Sequence, residues 1–312
     1  MVTQLSNWSF SPFPPFPATV FPNTALWNAT SVAADMTYQI QVSCPFDSPS
    51  REVPCKSALT VYVLDANAMG MTAAEGFKRR KPVSFGQPDS VVVSIGYPLS
   101  NSLYDMVNRF VDYRPPFPGD QGSPSGADHF LDFIEHALRP WLHKTVCPNV
   151  DFTRDALFGH SFGGLLAVHA LVSRPSMFDT DLAASPVLEV ANSSILYEVT
   201  TRFGTGDPNS SAYYTSMSCN NTTSTNLPAL MFSYGSLEQF PVRRRTENET
   251  AFQARKSYFR PLGMTEHYRE LFDRVKASGR LRDVLLKEYV GQEHAGVAAS
   301  AITDGIEYFV DW

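Results

Sequence analysis

Residues 155–175 read DALFGHSFGGLLAVHALVSRP, a polar Gly-His-Ser-Phe-Gly-Gly corner set between two apolar runs. The run before the corner has strand length and the run after it is long enough for a helix, so the serine occupies a strand-to-helix turn. Gly159-His160-Ser161-Phe162-Gly163 fits the pattern Gly-x-Ser-x-Gly. Its flanking glycines permit a turn so sharp that the serine side chain projects above a sheet, and Gly164 lets the following helix pack close to the strands. A serine held this way is a rigidly placed nucleophile.

The rest of the chain reads as alternating strands and helices around that corner. TYQIQVSCP alternates as a strand, SALTVYVLDAN is a second strand ending in a turn, and DSVVVSIGYPL has the continuous β-branched character of a strand buried on both faces. AAEGFKRRK reads as a short helix or loop, and SGADHFLDFIEHALRPWLHKTV carries apolar residues at 130, 131, 133, 134, 137, 138, 141 and 142, a helical stripe. LPALMFSYGS is a further strand, followed by helices over about 246–260 and TEHYRELFDRVKAS, the strand DVLLKEYVGQEH and the final helix SAITDGIEYFVDW. That order predicts an α/β fold with a doubly covered, mostly parallel sheet, as one domain over residues 31–312. Residues 1–30, rich in Pro and aromatics, are expected to form an extended arm over the body, and the Asn/Ser/Thr-rich segment 205–226 a lid or specificity loop.

Composition narrows the partners. The 312 residues carry 25 Lys plus Arg against 31 Asp plus Glu, a formal charge of -6, which does not favour nucleic acid and leaves a small molecule or another protein as the expected partner. The first twenty residues show neither a basic start nor an apolar run of signal-peptide length, which leads to the expectation of a cytoplasmic protein without membrane contact. Four cysteines, at 44, 55, 147 and 219, follow no zinc spacing, although Cys44 and Cys55 bracket one loop and could bridge under oxidising conditions. His129, His136 and His143 recur every seven residues, which on a helix puts successive rings roughly 10 Å apart, so they are read as helix-surface residues.

A serine hydroxyl needs a base, and the base needs an orienting carboxylate. In a sheet of this type the order along the chain is serine, acid, histidine. His294 lies just past the strand VLLKEYV and before the final helix, where a loop can hang an imidazole over the serine. His160 is expected to point away from the nucleophile, buried and hydrogen-bonded beneath the turn. Glu238, after the strand LPALMFSY, is the preferred acid, with Asp207 in GTGDPNS as its competitor. Oxyanion donors are expected from the amide of Phe162 and from Ala66 or Asn67 after the strand VYVL.

Together VYVLDANAM, VVVSIGYPL, NRFVDYRP, SGADHFLDFIEHALRPWL, FGHSFGG, SYGSLEQ and GQEHAGV resemble the enterochelin-esterase-like branch of the α/β hydrolases, which hydrolyses ester bonds in siderophores. The resemblance runs from about residue 35 to the C-terminus. It implies an α/β-hydrolase fold with Ser161 as nucleophile, His294 as base and Glu238 as acid. In the family a Leu-Asp-Gly-Asn stretch forms the oxyanion loop. Here it reads Leu64-Asp65-Ala66-Asn67, so a backbone that needs a positive φ at the third position would differ. Arg109, Asp112 and Tyr113 match a segment that the resemblance places at the substrate pocket. The implied substrate is a cyclic or linear ester of an iron chelator, with no cofactor or resident metal and iron arriving only within the substrate. The acidic balance favours a neutral hydroxamate over an anionic catecholate. The basic runs Lys78-Arg79-Arg80-Lys81 and Arg243-Arg244-Arg245 are weighed as pocket walls against solvated surface. A general carboxylesterase, a feruloyl- or thioester-type hydrolase, and a ligand-binding protein without catalysis are the alternatives.

Overall fold

A computed structural model describes residues 3–12, 23–33, 35–45, 56–84, 86–117, 122, 124–203 and 227–311. The expected single domain resolves into two compact units: Met1–Pro115 with Pro124–Phe158 and Ile302–Trp312, and Pro116–Ser123 with Gly159–Ala301. Each is discontinuous in sequence, so no linker or composition shift marks the division.

The first unit contains strands β1 (Thr3–Leu5), β2 (Trp8–Pro12), β3 (Thr24–Ser31), β4 (Met36–Ser43), β5 (Lys56–Leu64), β6 (Asp89–Gly96) and most of β7 (Val150–His160), in the order β1-β2-β3-β4-β6-β5-β7. From β1 to β4, and between β4 and β6, pairing is antiparallel, while β5 runs parallel to both β6 and β7. The described parts of residues 1–30 are therefore paired strands rather than an arm over the body. Trp8 lies opposite Ser31 and Pro12 opposite Trp27, and backbone pairing satisfies the amides that an arm would leave to solvent. Helix α1 (Ala66–Arg80) is longer than the short element expected and turns Met69, Ala73, Ala74 and Phe77 inward. Residues 127–146 are helical, as the apolar stripe predicts, with hydrogen bonds widening to the π pattern at Ile134–Leu138 and Leu142–Val146.

The second unit has β8 (Thr180–Ala184), β9 (Ala229–Gly235) and β10 (Asp283–Tyr289), all parallel, with β9 between the other two. Every residue of β8 and β9 is buried, and β9 accordingly reads as an apolar run without alternation. Its helices are α2 (Phe162–Ser173), α3 (Val190–Phe203), α4 (Glu249–Phe259), α5 (Met264–Ala277) and the start of α6 (His294–Val310). Asn248 caps α4 by accepting from the amide of Ala251 at 2.8 Å. Among the described residues no helix is long and apolar enough to cross a membrane. Segment 205–226, with Asp207, and Cys55 lie outside the described residues.

Candidate active site

Strand β7 ends at His160 and α2 begins at Phe162, which leaves Ser161 alone to make the reversal. It does so at φ 62° and ψ -117°, a backbone conformation that a residue with a side chain adopts only under constraint. The constraints are visible. The Ser161 amide donates to the Ala184 carbonyl at 2.9 Å, and the Ser161 carbonyl accepts from Leu165 at 3.0 Å. A methyl at Gly159 would lie 2.1 Å from the Gly163 oxygen, and one at Gly164 would lie 2.8 Å from the Ala184 oxygen. Both glycines are thus required by contact. Gly159→Ala should lower the melting temperature and esterase activity together, with a loss of about 1–3 kcal/mol by denaturant titration. Phe162, the first residue of α2, places its amide at the positive end of the helix dipole.

Glu238 sits in the turn after β9, where its amide donates to the Gly235 carbonyl at 3.1 Å. It is 4% exposed, so its carboxylate depends on protein partners. Oε1 accepts from the Ser185 hydroxyl and the Gly235 amide, each at 2.6 Å, and Oε2 faces His294 Nδ1 at 2.6 Å. A carboxylate at Nδ1 holds the proton on that nitrogen and leaves Nε2 as the acceptor, the tautomer a base needs. Ser185 was not foreseen; it follows β8, a five-residue strand too short to stand out, and its hydroxyl is the only hint the sequence carries.

His294 opens α6. His160, the residue before Ser161, is buried as expected, and it turns toward His294: its Nε2 lies 2.9 Å from the His294 carbonyl oxygen. The two rings are in contact, with centroids 4.6 Å apart. The imidazole of His160 thus holds the backbone at His294. His160→Ala should reduce kcat by about tenfold with little change in KM, measured on an aryl ester, because it loosens the base without touching substrate. Burial raises the Glu189 carboxyl above the ordinary range, with His267 and His294 pulling the other way and Glu238 adding to the rise.

Beside the pair lies a cavity of about 220 Å³ lined by Glu238, His294, Arg244, Arg255, Phe259 and Met264, among others. Its two arginines are occupied: Arg244 and Arg255 both pair with Glu293, and Arg255 also binds Glu247 at 2.7 Å. Of the other basic residues weighed earlier, Arg79 pairs with Glu75, Arg80 with Glu307, Lys81 with Asp89 and Arg243 with Glu249. The Arg79–Glu75 and Arg243–Glu249 pairs are solvated, while Arg80 and Asp89 are partly covered.

The remaining predicted residues belong to the first unit. Asp65 takes the left-handed conformation, φ 55°, immediately before α1, while Ala66 does not. The positive φ therefore falls one residue earlier than the Gly-to-Ala change in the motif, and alanine is tolerated. Arg109 grips the Asp65 carboxylate with two bonds, Nε to Oδ1 at 3.0 Å and Nη2 to Oδ2 at 2.9 Å, and the Asp65 amide donates to the Tyr113 hydroxyl at 3.3 Å. Asn67 donates to the Tyr97 carbonyl at 2.9 Å. The hydroxyls of Tyr38 and Tyr97 both donate to Asp112 Oδ2 at 2.9 Å. Arg109, Asp112 and Tyr113, expected at the substrate pocket, are 3%, 6% and 0% exposed with their polar groups on protein partners.

Burial pushes the Asp112 carboxyl up to about 6 from an ordinary 3.8, although the Tyr97 and Tyr38 hydroxyls pull it down. The folded chain therefore holds this proton more tightly than the unfolded chain, and the associated stability is lost as pH rises from about 4 through about 6. Asp112→Asn should remove about 3 kcal/mol of that pH dependence, read from denaturant titrations across the window.

The chain matches the family described as "Esterase: Putative esterase" over residues 60–271. It is 39% identical to the siderophore enterobactin esterase of Emericella nidulans, with 97% of this chain and 98% of that protein covered. With the siderophore triacetylfusarinine C esterase of Aspergillus fumigatus the identity is 35%, over 88% of this chain and 89% of the relative. Among solved structures, siderophore hydrolase EstA from Aspergillus nidulans superposes with a TM-score of 0.83 at 36% identity, covering 96% of this chain and 98% of the other.

Proposed function

Because the chain belongs to the Esterase family, we propose that Ser161, His294 and Glu238 form a triad that hydrolyses ester bonds of an iron-chelating siderophore. The observation that supports this reading is the Glu238–His294 contact at 2.6 Å, made between the turn after β9 and the start of α6 after β10. Ser161 Oγ attacks the ester carbonyl as His294 Nε2 takes its proton. The oxyanion is met by the Phe162 amide. Collapse of the tetrahedral intermediate expels the alcohol, which receives the proton from His294. Water, deprotonated in turn by His294, then releases the acid from Ser161. This chemistry requires no cofactor or resident metal. Arg109 and Tyr113 act by holding Asp65, and Asp112 by anchoring the Tyr38 and Tyr97 hydroxyls, none of them by touching substrate.

For the substrate class we favour a neutral ferric hydroxamate ester such as triacetylfusarinine C. The cavity arginines are already matched by Glu293 and Glu247, which leaves little positive charge to receive an anionic ferric catecholate. A catecholate tri-lactone is the second reading, favoured by the likeness to a protein named for enterobactin. Hydrolysis of the two iron-loaded esters in parallel, with products identified by mass spectrometry, separates these readings. Faster opening of the hydroxamate ester is expected. Indifference to both, with rapid turnover of short acyl esters, would point to a general carboxylesterase.

A further inference from the structure

Among the described residues Cys44 and Cys147 are free thiols, and both belong to the first unit. Cys44 follows β4 and is half-buried, while Cys147 is buried at the end of the helical stretch 127–146. They are 103 positions apart in sequence, yet their sulfurs lie 3.7 Å apart. Their backbones are held independently: the Cys44 amide donates to the Asn23 carbonyl at 2.9 Å and the Cys147 amide to the Leu142 carbonyl at 2.9 Å. A cavity of about 280 Å³ lined by Cys44, Lys78, Lys81, Phe77 and Asp89, among others, opens beside the first sulfur.

We propose that Cys44 and Cys147 are an oxidant-reactive dithiol, in which Cys44 meets a peroxide from the cavity and Cys147 closes a disulfide onto it. Three features support the division of labour. The sulfur–sulfur contact with Cys147 favours the Cys44 thiolate; burial opposes it and the nearby Lys78 ammonium assists. The same contact and its own burial hold Cys147 protonated. Access is one-sided, since Cys44 lines the cavity and Cys147 does not. With hydrogen peroxide, the Cys44 thiolate attacks one oxygen, the O–O bond breaks, and hydroxide leaves to become water, which gives a sulfenic acid. Cys147 sulfur then attacks Cys44 sulfur; its proton and the departing hydroxide form the second water. Two electrons pass from the two sulfurs to one peroxide. Forming an S–S bond of about 2.0 Å from the present separation is within reach of side-chain rotation.

The test uses the full chain, reduced and then exposed to one equivalent of hydrogen peroxide. The expected result is an intact-mass loss of about 2 Da and a Cys44–Cys147 linked peptide in a non-reducing digest, reversed by dithiothreitol. Cys147→Ser should stop at a Cys44 sulfenic acid that dimedone traps, and Cys44→Ser should slow thiol oxidation by at least about tenfold. Closing so long a loop should also raise the melting temperature of the oxidised wild-type chain by about 5 °C or more, but not that of either variant. A digest that shows Cys44 joined to Cys55 or Cys219, a cross-linked dimer, or no loss of thiols would overturn the proposal. None of these readouts depends on esterase activity, so the result stands apart from the fate of the triad.

Discussion

Ser161→Ala is expected to lower kcat for ester hydrolysis by roughly 10⁴–10⁶-fold and to leave the folded chain intact. Alanine fits the same backbone site as poorly as serine does, since the φ of 62° belongs to the turn and not to the hydroxyl. The strain is therefore unchanged, and only the attacking atom is lost. The residual rate would come from the Phe162 amide acting on bound ester. Stopped turnover with retained ligand binding, followed by tryptophan fluorescence, is the expected pair of results. Hydrolysis at a tenth of the wild-type rate would mean that another group attacks the ester and would end the triad reading.

Glu238→Gln is the second large effect, and its reason is the tautomer. The glutamine oxygen can take over the bonds from Ser185 and the Gly235 amide, which leaves its NH₂ facing His294 Nδ1 in place of Oε2. A donor there forces Nδ1 to accept, so the ring proton moves to Nε2, the nitrogen that must receive the serine proton. A loss of roughly 10³–10⁴-fold in kcat with KM nearly constant is expected. Glu238→Ala should differ in kind: it strands the Ser185 hydroxyl and the Gly235 amide in a buried place and costs about 2 kcal/mol of stability as well. The contrast between a stable, inactive glutamine variant and an unstable alanine variant distinguishes an orienting carboxylate from a merely structural one. Equal activity of the glutamine variant and wild type would remove Glu238 from the mechanism.

The α/β-hydrolase fold was legible wherever one local rule dominated. The apolar runs that became β5, β6, β7 and β9 are buried on both faces, and burial of that kind writes itself into composition. Gly159 and Gly164 were legible for the opposite reason, because the space for a side chain is missing. Less was legible where the cause lies far along the chain. Strand β8 is five residues with an ordinary composition, and its identity as a strand comes from its parallel pairing with β9. The Pro- and aromatic-rich composition of residues 1–30 suggests an arm, yet β1, β2 and β3 are strands because each finds a backbone partner.

Chain order and residue chemistry nominate Ser161, His294 and Glu238 as the candidate triad, since a strand-to-helix serine, a late histidine and an intervening acid are local patterns, and the structure brings the acid and the histidine into contact. What packed coordinates alone could assign were the partners. Ser185 reaches Glu238 across 53 positions, His160 reaches His294 across 134, and Arg109 spends its guanidinium on Asp65 across 44. The physical reason is the range of the forces. Steric and hydrophobic demands act on each residue where it stands and leave a trace in the residue type, whereas a hydrogen bond is satisfied by any suitable atom that folding brings within about 3 Å.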